Sequence, residues 1–200
     1  NGFQKLYMKL FLFFNNITLK NADEAYSVSE YLSRQLYQES GIKSKVIYNK
    51  IDKKRFNKKV KGDEIIKKYD LKNKKILLYV GRIAPHKGIH LLLKAFKIIK
   101  NKVPNSKLII VGKPTFSNYF KTLRNSIEIS GAQKISDQDV VFTGFIQDED
   151  LPKYYASCNV YVTCSQWEGF NLPAAEAQAC GRKVVAFDIG SHPEVVKKGI

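Results

Sequence analysis

Residues 160–181 read VYVTCSQWEGFNLPAAEAQACG. Two carboxylates, Glu168 and Glu176, stand eight positions apart across a helix start, because Pro173 suits a first helical position and Gly181 the position just past the last. The spacing predicts an apolar strand at 160–164, a loop from Ser165 to Leu172, and a short helix at 173–180. The first turn of that helix leaves the backbone N–H groups of about Leu172 to Glu176 without intrahelical partners, and the dipole puts partial positive charge on them. Such an end accepts an anion or a sugar hydroxyl. One acid precedes the turn and the other lies inside it. Taken alone, the two acids are equally well explained as charge that a helix N-terminus favours.

A second stretch, GRIAPHKGIHLLLKAF, follows the apolar run 76–80 and carries Arg82 at the strand end and Lys87 just before a helix beginning near Gly88. Leu91, Leu92, Ala95, Phe96 and Ile99 form the stripe that docks this helix. A diphosphate leaving group needs its developing charge neutralised, and two fixed cations with backbone dipoles supply that without a metal. Each charge-assisted hydrogen bond contributes roughly 1.5–3 kcal/mol, so two are worth about two to four orders of magnitude in rate. In a chain this rich in lysine, the same pair is also readable as ordinary surface charge.

Other chemistry finds little support. G-x-x-x-x-G-K-[ST] and G-x-G-x-x-G are both absent, which removes the main argument for a kinase, ATPase or dehydrogenase. Asp137-Gln138-Asp139 has the D-x-D form of a metal-binding pair, but it precedes the strand at 140–143 and so belongs to the amino end of the sheet, away from where ligands bind. His86, His90 and His192 have no ligand spacing; only His86, beside Lys87, lies near a candidate site. No nucleophile elbow or Ser-His-Asp order is present.

The elements that must position these residues alternate. Strands are expected at 76–80, 107–111, 140–143, 160–164 and 183–187, with helices at about 88–101, 117–130, 148–157 and 173–180 and a short one near Pro193. Strands apolar throughout are buried on both faces, and their alternation with helices gives a parallel, doubly wound, Rossmann-like α/β sheet with right-handed crossovers. Its ligands bind at the carboxyl ends of the strands, which puts Gly81, Gly112, Gly144 and the loop 165–172 on one edge. Residues 1–60 give a helix (3–15), strands at 25–29 and 45–49, a helix at 30–40 and a polar linker. This βαβ tail needs more sheet upstream, so the expected division is the end of one domain in 1–60 and a nearly whole domain in 61–200, both parts of a longer protein.

Composition bounds the rest. The 200 residues are 44% hydrophobic and 12% aromatic, which excludes disorder. The run LYMKLFLFF at 6–14 is too short to span a bilayer and is broken by Lys9; no small-residue cleavage site follows it. Three cysteines without C-x-x-C spacing suggest buried thiols in a reducing cytosol. The formal net charge is +16, and residues 43–75 alone hold 14 basic and 4 acidic residues. Such a stretch suits a solvated surface first and an anionic membrane surface second. It lacks the interleaved aromatics and arginines of a nucleic-acid groove, so no nucleic-acid partner is expected.

A cationic pair after the first strand of a parallel domain and an E-x7-E loop-helix after the fourth resemble the donor half of GT-B glycosyltransferases, most closely the retaining family 4 (group 1) type. NADEAYSVSEYL (21–32) and VIYNKIDKKRF (46–56) resemble the close of the acceptor domain and the linker; VGRIAPHKG (80–88), KLIIVGK (107–113), VVFTGFI (140–146) and EGFNLPAAEAQACG (168–181) resemble the donor domain. The resemblance implies a metal-independent hexosyltransferase that uses a UDP- or GDP-sugar and a glycan or lipid-linked acceptor, in the cytoplasm or peripherally at the inner membrane face, with no cofactor. Arg82 and Lys87 would hold the diphosphate, Glu168 would face the sugar, Gly81 and Gly169 would belong to the donor site, and backbone N–H groups of Phe170, Asn171 and Leu172 would contact sugar or phosphate. Glu176 would bind the ribose, and the base would lie near Gly144, Phe145 and Ile146. Alternatives on the same fold are a nucleotide-sugar-binding scaffold, an epimerase and a phosphorylase. Two departures stand out: Tyr48-Asn49-Lys50 replaces a frequent Pro-Asn-Gly, and Gly190-Ser191-His192-Pro193-Glu194 stands where a Gly-Gly pair is common.

Overall fold

The computed structural model of the chain describes residues 2–128, 135–136 and 138–196. They form two units, Asn1–Asn49 and Lys50–Ile200. In the first unit, helix α1 (Gly2–Lys20) is longer than the expected 3–15. Strand β1 (Tyr26–Ser27) pairs in parallel with β2 (Lys45–Val46), and α2 (Glu30–Ser40) crosses between them. The strands are shorter than the apolar runs suggest, because among the described residues each has only the other as a partner. Ser29 caps α2 by accepting from the Leu32 N–H, and Gly41 ends it in a left-handed conformation. Leu6, Leu10, Phe11, Phe13 and Phe14 on α1 are exposed. Among the described residues, no helix is long and apolar enough to cross a membrane.

The second unit is built on a five-stranded parallel sheet in the order β5-β4-β3-β6-β7. The strands are β3 (Lys75–Val80), β4 (Ser106–Val111), β5 (Val140–Gly144), β6 (Val160–Val162) and β7 (Lys183–Val185). Residues of β3 and β4 alternate between two cores: Ile76, Leu78, Val80, Ile109 and Val111 enter one, while Leu77, Tyr79, Leu108 and Ile110 enter the other. Burial on both faces is why these strands read as unbroken apolar runs.

The first core is covered by α3 (Asp63–Lys68), α6 (Leu151–Ser157) and α7 (Leu172–Ala179), the second by α4 (Ile89–Lys102) and α5 (Ser117–Glu128). The short α8 (His192–Val195) closes the described chain. Helix α3 has no counterpart in the sequence reading, because six residues with two central isoleucines lie below the length at which helical periodicity shows. Phe56 enters the first core and stacks edge-on against Tyr155, so the lysine-rich stretch after residue 50 packs with this unit.

Several boundaries differ from expectation. β6 and β7 stop at Val162 and Val185, rather than at 164 and 187, because only three residue pairs lie opposite one another between them. The helix expected from 148 begins at Leu151, since 147–151 form a turn in which Asp150 and Leu151 bond back to Gln147 and Asp148. Residues 129 and 130 of the expected 117–130 helix, and Asp137, lie outside the described residues.

Candidate functional site

In this strand order β3 and β6 are sheet neighbours, although they are the first and fourth strands of the unit. The chain leaves β3 for α4 on one face and leaves β6 for α7 on the other. A crevice opens where successive connections diverge in this way, at the carboxyl ends of the strands. Gly81, Gly112 and Gly144 line this edge as expected: Gly81 N–H donates to the Val111 carbonyl and Gly112 N–H to the Gly144 carbonyl, each at 2.9 Å. A Cβ on Gly112 would lie 1.9 Å from the Gly81 oxygen, so only glycine lets these strand ends approach.

The loop after β3 is shaped by a 3-10 turn at Pro85–Lys87 and by Gly88 with φ +67°. A Cβ on Gly88 would meet the Cys164 carbonyl oxygen at 2.0 Å, so the two loops touch backbone to backbone here. Gln166 N–H donates to the His86 carbonyl at 2.8 Å and ties them again. Lys87 is thereby carried to Glu168, and its Nζ lies 2.7 Å from Oε1. The side chains retain only 17% and 14% of their exposure, so this is an ion pair largely withdrawn from water.

Arg82 stands differently. It is exposed and forms no ion pair among the described residues, while its carbonyl accepts from the Tyr79 hydroxyl at 3.1 Å. Its charge is felt nearby: burial first, then the Lys87 ammonium and the Arg82 guanidinium, hold His86 below the usual imidazole value. The structure thus bonds Lys87 to Glu168 and leaves Arg82 unpaired at the surface of the same loop.

Glu176 occupies the second turn of α7. Its Oε2 accepts from the Tyr155 hydroxyl at 2.7 Å, and Tyr155 is fully buried. Burial raises the Glu176 carboxyl above its ordinary value, with the Tyr155 bond and the charge of Arg55 opposing. The two acids are not bonded to each other, yet both act on Tyr161 of β6. Burial foremost, then Tyr79, Glu168 and Glu176, drive that phenol well above its usual range. Tyr155 went unrecognised in the sequence, where PKYYAS gives only a helix with two core aromatics.

The stretch between the acids is held by residues to which the sequence reading gave no holding role, Asn171 having been expected only to offer its backbone N–H. Ser191 Oγ donates to the Glu168 carbonyl at 3.0 Å. Asn171 is buried, left-handed at φ +68°, and caps α7 by accepting from the Ala174 N–H. Its Nδ2 lies 2.8 Å from Nε2 of buried His192. Gly169 and Phe170 are half-buried and Leu172 is exposed. On the far side, Phe145 is exposed beneath the Lys113 ammonium, and Ile146 packs on the first core.

The D-x-D residue that is described has a structural role. Asp139 pairs with Lys100 at 2.6 Å and accepts from Ser136 N–H and Oγ at 2.9 and 2.8 Å, at the amino end of β5. All three cysteines are buried, and burial raises the Cys158 thiol to about 12 and the Cys180 thiol to about 11.

The family model for glycosyl transferases group 1 matches residues 61–200. Spore coat protein SA of Bacillus subtilis is 28% identical over 198 residues, covering 92% of this chain and 51% of that protein. The lipopolysaccharide 1,2-N-acetylglucosaminetransferase of Salmonella typhimurium is 35% identical over 126 residues, 62% of this chain and 33% of that protein. The crystal structure of Anabaena HepE in complex with UDP and glucose matches with a TM-score of 0.80 at 26% identity, covering 92% of this chain and 50% of that one. The chain spans about half the length of the first of these curated relatives. It belongs to the group 1 glycosyl transferase family, and its five-stranded parallel sheet is that of a GT-B fold.

Proposed function

We propose that this chain carries the donor site of a retaining glycosyltransferase that moves a hexose from a nucleoside diphosphate to a glycan or lipid-linked acceptor. The observation that carries the reading is the Lys87–Glu168 pair at the switch point of the sheet, a cation and an acid brought together from two different crossovers. The anionic diphosphate meets Lys87 and, from the surface, Arg82. Glu168 faces the sugar, where its carboxylate accepts from hydroxyls and stabilises positive charge developing at the anomeric carbon. Glu176, held by Tyr155, accepts from the ribose diol. That Anabaena HepE is seen with UDP and glucose supports UDP-glucose as the first donor to test.

The step balances without a resident group. The bond from the anomeric carbon to the diphosphate oxygen breaks with its electron pair going to the phosphate. The acceptor hydroxyl then bonds to that carbon from the same face, and its proton passes to the departing phosphate oxygen. Lys87 and Arg82 neutralise the charge left on the diphosphate, so the chemistry asks for no divalent metal. The acceptor belongs to the remainder of the protein, and this chain alone is expected to bind donor without transferring sugar. The exposed lysines of 43–75 suit peripheral contact with an anionic membrane surface in the cytoplasm.

Calorimetric titration of this chain with UDP-glucose and GDP-mannose tests the proposal. Binding of at least one is expected, weakened about tenfold or more by Lys87→Ala through loss of a charge-assisted bond. A folded sample that binds neither overturns it.

A further inference from the structure

The loop between the two acids contains a residue whose conformation requires an explanation. Asn171 holds φ +68° and ψ +66°, a region that side-chain-bearing residues rarely adopt and that glycine takes without cost. Its side-chain amide is used at both ends: Oδ1 accepts from the Ala174 N–H at 3.2 Å, and Nδ2 faces His192 Nε2 at 2.8 Å. With Oδ1 committed to an N–H, Nδ2 is the donor, so Nε2 must be the bare nitrogen of the ring. The proton then sits on Nδ1, 2.8 Å from the Phe187 carbonyl that receives it. Every polar atom in this chain of contacts has a partner of the right sense. His192 is 1% exposed, so these bonds are made away from water.

The neighbouring residue grips the other end of the same loop, since Ser191 Oγ and N–H both point at the Glu168 carbonyl, at 3.0 and 3.4 Å. The segment 187–192 therefore fixes residues 168 and 171 together, and with them the backbone between. Neither Ser191 nor His192 reaches outward from this position; both act through the loop they hold.

We propose that His192 is a positioning residue of the donor site: by taking the Asn171 amide it keeps that side chain folded back on α7 and holds the 168–172 loop in the geometry that receives the donor. The inference rests on the donor-binding reading above. Its distinguishing consequence is that His192 is needed only because residue 171 has a side chain. A histidine that merely fills the core would be needed whatever stands at 171.

A double-mutant cycle on this chain, read as the affinity for UDP-glucose, separates the two. His192→Ala should weaken binding about tenfold, through a buried amide left without its acceptor. His192→Gln, whose side-chain oxygen offers an acceptor, should recover most of the loss. Asn171→Gly adopts the turn freely and keeps the backbone N–H of residue 171, so its own affinity, whatever its level, is the reference for the double variant. The double variant Asn171→Gly/His192→Ala should match Asn171→Gly within about twofold. A double variant as weak as His192→Ala alone overturns the proposal. The melting temperature reads the same linkage without donor: the loss caused by His192→Ala should shrink by about half or more in the Asn171→Gly background, and an equal loss in both backgrounds also overturns the proposal. If the parent chain fails to bind UDP-glucose while that melting result holds, the donor reading falls and the linkage between His192 and Asn171 stands.

Discussion

Replacing Glu168 by glutamine gives the sharpest test of how the site works. In the donor-free chain, Glu168 and Lys87 are 2.7 Å apart with little exposure, so their interaction lies above the ~0–1 kcal/mol of a surface pair and near the 1.5–3 kcal/mol of a charge-assisted hydrogen bond, about 2 kcal/mol. A diphosphate must draw on the same ammonium, which has three N–H donors to share. If about half of the interaction is surrendered, Glu168 opposes diphosphate binding by about 1 kcal/mol, or roughly fivefold in Kd. Glutamine removes the competing charge and still offers Lys87 an oxygen, so UDP should bind Glu168→Gln about fivefold tighter. UDP-glucose gains the same amount but exchanges a charge-assisted sugar contact for a neutral one, again about 1 kcal/mol, and so changes little. The ratio of UDP-glucose to UDP affinity should therefore fall about fivefold. Calorimetry at fixed ionic strength measures both, with a thermal melt to confirm folding; the unneutralised lysine should lower Tm by roughly 2–8 °C for about 1–2 kcal/mol. Weaker UDP binding, or a ratio unchanged within twofold, refutes the idea that Lys87 is shared between acid and diphosphate while Glu168 faces the sugar.

Three further perturbations probe the surroundings. Tyr155→Phe removes only the hydroxyl that donates to Glu176; stability should fall by about 1 kcal/mol and UDP-glucose affinity about three- to tenfold, and unchanged affinity would separate Glu176 from the ribose. Because burial holds the Glu176 carboxyl above its ordinary 4.5, its contribution to stability is complete below that value and lost as pH rises through the folded value; Glu176→Gln should melt higher than the parent at pH 7, with the gap closing at pH 4, and a pH-independent gap contradicts this. Asp139 has the opposite sign: burial alone would raise its carboxyl, but the Lys100 ammonium and the Ser136 donors outweigh it and lower it below 3.8. Asp139→Asn should therefore cost on the order of 1 kcal/mol at pH 7 and nothing near pH 2, with UDP-glucose affinity untouched; a tenfold loss of binding would reopen the D-x-D reading.

The sheet was legible because its central strands are buried on both faces, so that Ile76 to Val80 and Leu108 to Val111 show as solid apolar runs. That the two loops share one edge was legible because alternating strands and helices put all the strands' carboxyl ends together, and Gly88, Pro173 and Gly181 punctuate the chain where the backbone turns; the strand order that makes them neighbours was not. What spacing could not supply is contact between elements distant in sequence. Tyr155 reaches Glu176 from α6, and His192 reaches Asn171 from beyond β7. In one dimension an aromatic pair in a helix and a histidine before a proline carry no sign of such partners. Helix α3 escaped, and the strands expected at 25–29 and 45–49 were drawn too long, for a different reason: the local pattern is short, and tertiary packing rather than propensity fixes where such elements end.

An acid beside the cation of an anion site looks self-defeating until both states are considered. Without donor, Lys87 is too buried to stand unpaired at low cost, and Glu168 supplies the partner. On the proposed reading, the diphosphate of a bound donor would take over the ammonium while sugar hydroxyls would take over the carboxylate, so neither buried charge would be left bare in either state. Arg82 needs no such guard because it is exposed, and on the proposed reading it would meet the incoming diphosphate first. The net charge of +16 adds a long-range field that favours the approach of an anion. The exchange succeeds only if both ends of the donor arrive together, since UDP alone would occupy Lys87 and leave Glu168 without a partner. On that reading, the same ion pair that stabilises the empty site would favour the intact sugar nucleotide over the spent nucleotide, the preference that would let product leave.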